Sequence, residues 1–343
     1  MHLVLESGTR LGRCRLVSRI GEGSMGVVWE AWHTTLGIPV AVKLLKDNAN
    51  PTQARYALER FRMEAQLAAK INHPGIVRVL DFGEEGRPYL VMELVRGYDL
   101  HAWIHNRGWV DEIVALKVVG HIAVGLASMH RCGVVHRDLK PSNVLISEGT
   151  ALKITDLGLA RSPGNPFDET LLSGTPQYMA PESLEASGSV DPRSDLYSLG
   201  VIFFRMIVGH VPFRGTAQEV LKKQLWERPD WTLPDGAQVD GGTLFIAKRL
   251  LEKDPARRIQ TALEVVQACR EQVARLQTRR DDAEKPSTEA RTIRRPLMRE
   301  RLAALRDGRN EAVTESVRRW RKAAIWGAGA AGLVLAGYLV GRI

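Results

Sequence analysis

The feature that most constrains this chain is a change of character near Gly97. Before it, from Leu16 to about Leu45, the text is rich in Val, Ile and Trp and broken by glycines, which predicts short antiparallel strands joined by hairpin turns. A helix is predicted over about 53–70, where Ala, Leu, Glu and Arg dominate, and strand signals return at 77–82 and 89–93. After Gly97, Ile113, Leu116, Gly120, Ala123, Ala127 and His130 recur at spacings of three and four, one face of a long helix beginning near Asp111. A hairpin is expected at 144–146 and 152–154, and from Asp195 to Cys269 helical stretches alternate with Gly and Pro breaks. A β-rich part followed by a helix-rich part, with a cleft between them, is the architecture this order predicts.

Size and charge narrow the class. A chain of 343 residues can bury a substantial core. Cys14, Cys132 and Cys269 are too widely spaced for a disulfide framework or a zinc site, which fits a reducing compartment. The net charge of +9 is not spread evenly. Residues 1–278 carry 33 basic and 31 acidic side chains, whereas residues 279–322 carry 14 and 8. A nucleic-acid-binding fold is therefore not expected, since the basic excess belongs to the tail. Residues 1–10 lack a cationic start followed by an apolar run, so synthesis on the cytosolic side is expected.

Three motifs carry chemistry. Gly21-Glu22-Gly23-Ser24-Met25-Gly26 lies between strand-like segments, where glycines let a backbone approach phosphate oxygens. Alone, the pattern reads equally as a dinucleotide fingerprint or a turn, but Val27-Val28-Trp29 favours a following strand rather than the helix a dinucleotide site requires. Val40-Ala41-Val42-Lys43 is a strand ending in a lysine, and Glu64 lies on the predicted helix. Such a lysine is either solvated or held by the carboxylate as a fixed charge for phosphates. His136-Arg137-Asp138-Leu139-Lys140-Pro141-Ser142-Asn143, followed by Thr155-Asp156-Leu157-Gly158, supplies a group to orient an attacking hydroxyl and oxygen ligands for Mg²⁺.

Together and in this order, these residues resemble the eukaryotic-like (Hanks-type) serine/threonine protein kinase family, and the wording Gly-Glu-Gly-Ser-Met-Gly-Val-Val-Trp is most similar to bacterial members. The resemblance covers about three-quarters of the chain. It implies an α+β, bilobal kinase fold: an N-lobe over 11–96 with a small antiparallel sheet and one helix, and a mainly helical C-lobe over 97–275. ATP and Mg²⁺ are the implied cofactors, and protein Ser/Thr hydroxyls the acceptors. By the same resemblance Ile20, Gly21, Glu22, Gly23, Ser24, Met25, Gly26, Val27 and Val28 cover the nucleotide, and Ala41, Met92 and Glu93 line its adenine end. Lys43 contacts the phosphates while paired with Glu64, Asp138 is the catalytic base, Lys140 contacts the transferring group, and Asn143 and Asp156 hold the metal.

Further matches are Ala180-Pro181-Glu182 with Arg258 as its buried partner, and Asp195 as the anchor of the catalytic loop. Lys140 and Gly174-Thr175-Pro176-Gln177-Tyr178 imply Ser/Thr rather than Tyr acceptors. Leu157 replaces the commoner Phe, and Ile259 a commoner Pro; neither removes a catalytic group. Arg137 resembles the arginine that receives an activation-loop phosphate, with Thr170 and Ser173 as candidate acceptors or plain polar loop residues.

The end of the chain adds an expectation of membrane attachment. After a charged linker over 276–322, residues 323–340 form an uncharged run of 18, or ~27 Å as a helix at ~1.5 Å per residue. Arg318, Arg319, Arg321 and Lys322 precede it, so a single pass with the kinase on the cytoplasmic face is expected. Ala324, Ala328, Gly332 and Ala336 recur every four positions, which would let two such helices pack as a homodimer; simple tolerance of small residues in lipid is the alternative.

Overall fold

The structure, a computed structural model, describes residues 5–23, 26–46, 50–156, 176–184 and 191–284. Ser24, Met25, Leu157, Thr170, Ser173, Thr175 and the apolar run 323–340 lie outside them. The chain divides into two compact units, 1–272 and 273–343. All the chemistry discussed below lies in the first; the described part of the second is the end of a helix, 273–284.

The N-terminal part is a six-stranded antiparallel sheet in the order β1-β2-β3-β4-β6-β5, built from β1 (Arg10–Leu11), β2 (Cys14–Glu22), β3 (Gly26–His33), β4 (Ile38–Leu45), β5 (Val79–Gly83) and β6 (Tyr89–Glu93). Strand β4 is central, and its period of two decides what each side chain meets. Val40, Val42 and Leu44 enter one core with Leu16, Trp29, Tyr89 and Val91. Ala41 enters the opposite core with Phe61, Ala65, Leu90 and Met92, so Lys43 is carried on that second face.

Helix α1 (Pro51–Ala68) covers this second face. Its start is fixed by Asn50, whose side chain accepts the N–H groups of Thr52 and Gln53, and by Pro51 in the first turn. Phe61, Glu64, Ala65 and Ala68 are its buried stripe, and Phe61 packs on Phe82 of β5 with ring centroids 5.8 Å apart. Glu64 is the anomaly: a carboxylate in an apolar stripe that needs a cation opposite it.

The second part starts with β7 (Gly97–Asp99), which pairs with β8 (Val144–Ser147), itself paired with β9 (Leu152–Ile154). Helices α2 (Leu100–His105), α3 (Glu112–Arg131), α4 (Pro192–Val208), α5 (Ala217–Trp226), α6 (Gly241–Leu250) and α7 (Ala262–Glu284) follow. Asp111 caps α3, as its sequence position predicts. Among the described residues α3 is long and apolar enough to cross a membrane, but 67% of its most apolar window is buried, and it is the core helix of this part. Helix α4 is buried along nearly its whole length and stops at Gly209, whose φ of +86° suits glycine.

Some expectations shift. The strand expected at 77–82 forms at 79–83, because Val77 is drawn away to β9: its N–H donates to the Ile154 carbonyl at 2.8 Å, and the Ile154 N–H donates to Gly75 at 2.9 Å. The helix expected over 53–70 starts and ends two residues earlier, at the Asn50 cap. Strand β7 and helix α2 were not anticipated; both are too short to show a period.

Candidate active site

Lys43 meets two carboxylates. Its ammonium lies 3.3 Å from Glu64 Oε1 and 2.8 Å from Asp156 Oδ1, with the lysine and glutamate side chains 7% and 5% exposed and the aspartate 40%. Burial lowers the affinity of Lys43 for its proton, but the charges of Asp156 and Glu64 outweigh it and its pKa is raised. Burial likewise pulls Asp156 upward, and the Lys43 ammonium more than reverses this, holding it below the ordinary carboxylate range. For Glu64 burial wins over Lys43, and its pKa is raised. The lysine is thus a fixed positive charge at the end of β4.

Asp156 is placed two residues beyond β9, the strand tied to Gly75 and Val77 of the first part. Its φ is +55°, a left-handed conformation that aspartate tolerates better than most residues. The Thr155 N–H donates to the Asn143 carbonyl at 2.9 Å, and the Thr155 carbonyl is 3.0 Å from His136 Nε2. These bonds hold the two loops that carry Asp156 and Asp138 side by side.

Within the second loop Lys140 Nζ is 2.8 Å from Asp138 Oδ2. The Asn143 amide nitrogen donates to the Asp138 carbonyl at 2.8 Å and to Oδ2 at 3.3 Å, which leaves the amide oxygen as the end that can take a cation. Arg137 has φ +67°, a position costing on the order of 1–3 kcal/mol outside glycine. Asp195 holds it there: its carboxylate accepts the N–H groups of His136 and Arg137, both at 2.9 Å, and contacts His130 Nε2 at 2.7 Å. The side chain of Asp195 is fully buried and ties the loop to His130 of α3.

The glycine-rich strand ends have separate reasons for their residues. At Gly26 a Cβ would collide with the Leu44 carbonyl, so the close approach of β3 to β4 requires glycine there. The Gly23 N–H donates to the Gly26 carbonyl at 2.9 Å and closes the turn. Ile20 and Glu22 lie on the exposed end of β2, and Val27 and Val28 pair with Glu22 and Gly21.

Val28, Ala41, Met92 and Val95 share one apolar cluster with Leu145 of β8. Leu145 comes from the second part of the chain and was not singled out by the sequence. Its signal was available, since it lies on the strand directly after Asn143, between Val144 and Ile146, which face the core. Glu93 follows Met92 at the strand end, where its carboxylate accepts from Lys153 and the Arg78 N–H. The polar end of the site brings Lys43, Glu64 and Asp156 together, and the bonds between the Thr155 and Asn143 loops place Asp138, Lys140 and Asn143 beside them.

Among the described residues no three His, Cys, Asp or Glu side chains form a metal cage. One carboxylate and one amide oxygen nevertheless suit Mg²⁺, which keeps waters and takes most of its remaining ligands from substrate phosphates. A buried lysine next to Asp156 suits the same polyphosphate. The donor set fits Mg²⁺ with a nucleoside triphosphate.

An α+β fold with a lysine–glutamate pair, a lysine-bound aspartate and a second aspartate on an adjoining loop defines a phosphotransferase class. The family model described as protein kinase domain matches residues 14–270. The chain belongs to that family and, within it, to the Hanks-type serine/threonine kinases of the bacterial kind. It is 40% identical over 263 residues to serine/threonine-protein kinase PknA of Mycobacterium tuberculosis, covering 74% of this chain and 59% of that protein. To serine/threonine-protein kinase pkn2 of Myxococcus xanthus it is 37% identical over 269 residues, covering 75% of this chain and 32% of that one. The chain therefore spans about a third to three-fifths of the length of these relatives. The crystal structure of the Mycobacterium tuberculosis PknI kinase domain matches with a TM-score of 0.61 at 28% identity, covering 78% of this chain and all of that one. The fold is the protein kinase fold.

Proposed function

We propose that the chain is an active serine/threonine protein kinase that transfers the γ-phosphoryl group of ATP to protein hydroxyls, itself included, and acts in signal transduction at a membrane. The observation that carries the activity is that every charged position of the reaction is filled and paired: Lys43 on Glu64 and Asp156, Asp138 on Lys140 and Asn143. The catalytic domain is taken as 11–275, with lobes meeting near 96–97.

ATP with Mg²⁺ supplies the electrophilic phosphorus and part of the charge neutralisation. Lys43 is the fixed cation for the phosphates, oriented by Glu64. Asn143 and Asp156 are the oxygen ligands for the metal. Asp138 orients the acceptor hydroxyl and takes its proton as the new oxygen–phosphorus bond forms and the bond from the γ-phosphorus to the β,γ-bridging oxygen breaks, with ADP as the leaving group. Lys140, 2.8 Å from Asp138, meets the charge on the transferring group. Residues 20–28, Ala41 and Met92 cover the nucleotide, and the apolar cluster around Val28 and Leu145 takes the adenine ring.

Residues 323–340 are proposed as a single membrane pass that keeps the kinase on the cytoplasmic face, with the basic residues 318–322 as its flank. A homodimer through the small-residue face of that helix would favour phosphorylation in trans.

The test uses the full chain with labelled ATP and Mg²⁺ and maps the label by residue. Label on Ser and Thr, with Thr170 or Ser173 among the sites and none without Mg²⁺, is the expected result. A folded chain that transfers no label would make it a docking module without turnover. Detergent-free fractionation tests the anchor: recovery of the full chain in the soluble fraction contradicts it.

A further inference from the structure

Beneath the segment that leads into Ala180-Pro181-Glu182, a file of polar groups runs from Lys253 to the backbone of Gln177. The Lys253 ammonium has an oxygen for each of its three N–H bonds: the Gln224 carbonyl at 2.6 Å, the Tyr197 hydroxyl at 3.2 Å and the Lys223 carbonyl at 3.3 Å. It also lies 4.3 Å from the centroid of the Phe213 ring. Lys223 and Gln224 belong to the last turn of α5, where the Lys223 carbonyl also accepts the Glu227 N–H at 2.9 Å and the helix dipole favours a cation.

The file has one direction. An ammonium only donates, so the Tyr197 oxygen accepts from Lys253 and its own proton turns to Gln224 Oε1, 2.5 Å away. That fixes the Gln224 amide with its nitrogen toward the backbone, where it donates to the Gln177 carbonyl at 2.7 Å and to Pro176 at 3.4 Å. Tyr197 and Gln224 are fully buried, and burial pushes the Tyr197 phenol up, so it stays a donor. Ser198 Oγ, one residue along α4, donates to the Tyr178 carbonyl at 2.7 Å. Residues 176–178 are thus laid on the same helix whose Asp195 shapes the loop of Asp138.

The charges around the file are those of Arg258, Glu182, Glu227 and Lys223. Arg258 stacks 5.0 Å over the Tyr197 ring and is bound to Glu182. The Lys223 ammonium turns away to the Arg214 carbonyl at 3.1 Å. Burial first, and Arg258 second, lower Lys253 to about 8, with Glu227 opposing. The charge that starts the file is therefore lost as pH rises through about 8.

We propose that Lys253, acting through Tyr197 and Gln224, is a positioning residue that sets the Pro176–Gln177 backbone and with it the affinity for the protein acceptor. The proposal rests on the kinase reading, because the segment Gly174–Tyr178 is the one by which the family resemblance assigns Ser/Thr acceptors. None of the nucleotide-site residues belongs to the file, so acceptor and nucleotide affinities separate.

Steady-state kinetics of the full chain with a serine peptide, for Lys253→Met, Gln224→Leu and Lys253→Arg, test this. In the first two the peptide KM rises about 5- to 30-fold, as the file is cut at its charged end or in its middle, while the ATP KM stays within about twofold. Peptide KM in the unaltered chain rises above pH 8, and Lys253→Arg abolishes that rise. Amide exchange over 176–184 reads the positioning without turnover: protection falls in Lys253→Met and Gln224→Leu and is kept in Lys253→Arg. An unchanged peptide KM, an equal rise in both KM values, or unaltered protection overturns the proposal. An unaltered chain that transfers no phosphate overturns the kinase reading instead, while the exchange measurement still decides the positioning.

Discussion

Two clusters of buried charge sit a short way apart in this protein and are built differently. Around Asp195 and Arg258 the buried charges are spent on one another and on the backbone. Arg258, fully buried, donates to both Glu182 oxygens at 2.7 and 3.0 Å and to the carbonyls of Arg193 and Glu252, while Asp195 accepts two backbone N–H groups and meets His130. The side chains of Asp195 and Glu182 are 0% and 12% exposed. At the candidate active site, by contrast, Asp138 and Asp156 are 25% and 40% exposed, the first held by Lys140 and Asn143 and the second by Lys43. The first cluster has nothing left to offer a ligand. The second holds its charges in place and still presents them, which is what electrostatic stabilisation of a transferring phosphoryl group requires.

That contrast can be broken by substitution. Lys43→Met removes the cation shared by Glu64 and Asp156, and phosphate transfer is expected to fall about 10²-fold or more, in line with the loss of one preorganised donor. Labelled-phosphate kinetics alongside circular dichroism read it; retained transfer would strip the cleft of its special status. Arg258→Met leaves Glu182 with Ser194 Oγ as its remaining side-chain donor among the hydrogen bonds seen here, and is expected to destabilise the fold by about 3–5 kcal/mol, read by denaturant unfolding. The molecules that remain folded keep their chemistry.

The pH dependence sharpens the same contrast with a smaller effect. Asp156 is held below its ordinary value, so its contribution to stability is complete above about pH 4 and is lost as pH falls through its folded pKa. Glu64 is raised, so its contribution is present below about pH 4 and fades as pH rises through its folded pKa. Asp156→Asn is expected to flatten the unfolding midpoint on the acid side of that value, and Glu64→Gln on the other side. Identical profiles for the two variants would deny that one lysine holds the pair apart.

How much of this was legible in the sequence depended on range. Strand β4 and its lysine were readable because alternation is local, and the Asp111 cap marked α3 for the same reason. The start of α1 was also written in the text: Asn50-Pro51 is a cap followed by a first-turn proline, and periodicity alone missed it by two residues. The loops of Asp138 and Asp156 were recognisable as motifs, but the bond between them, from Thr155 to Asn143, joins backbone atoms and leaves no trace in residue type. His130 was seen only as one member of a helical face; its contact with Asp195 crosses 65 positions and depends on tertiary packing. Leu145 and Gln224 escaped because an ordinary residue becomes special only through what it faces.

The most direct test replaces one atom of the open cluster. Asp138→Asn preserves shape and hydrogen-bonding reach while removing the carboxylate that takes the acceptor proton. It is expected to leave the unfolding midpoint near that of the unaltered chain and to lower phosphate transfer by about 10²- to 10⁴-fold, the range for losing a general base. Transfer at an undiminished rate from the folded variant would contradict the assignment of Asp138, and with it the reading of the cleft as the seat of catalysis.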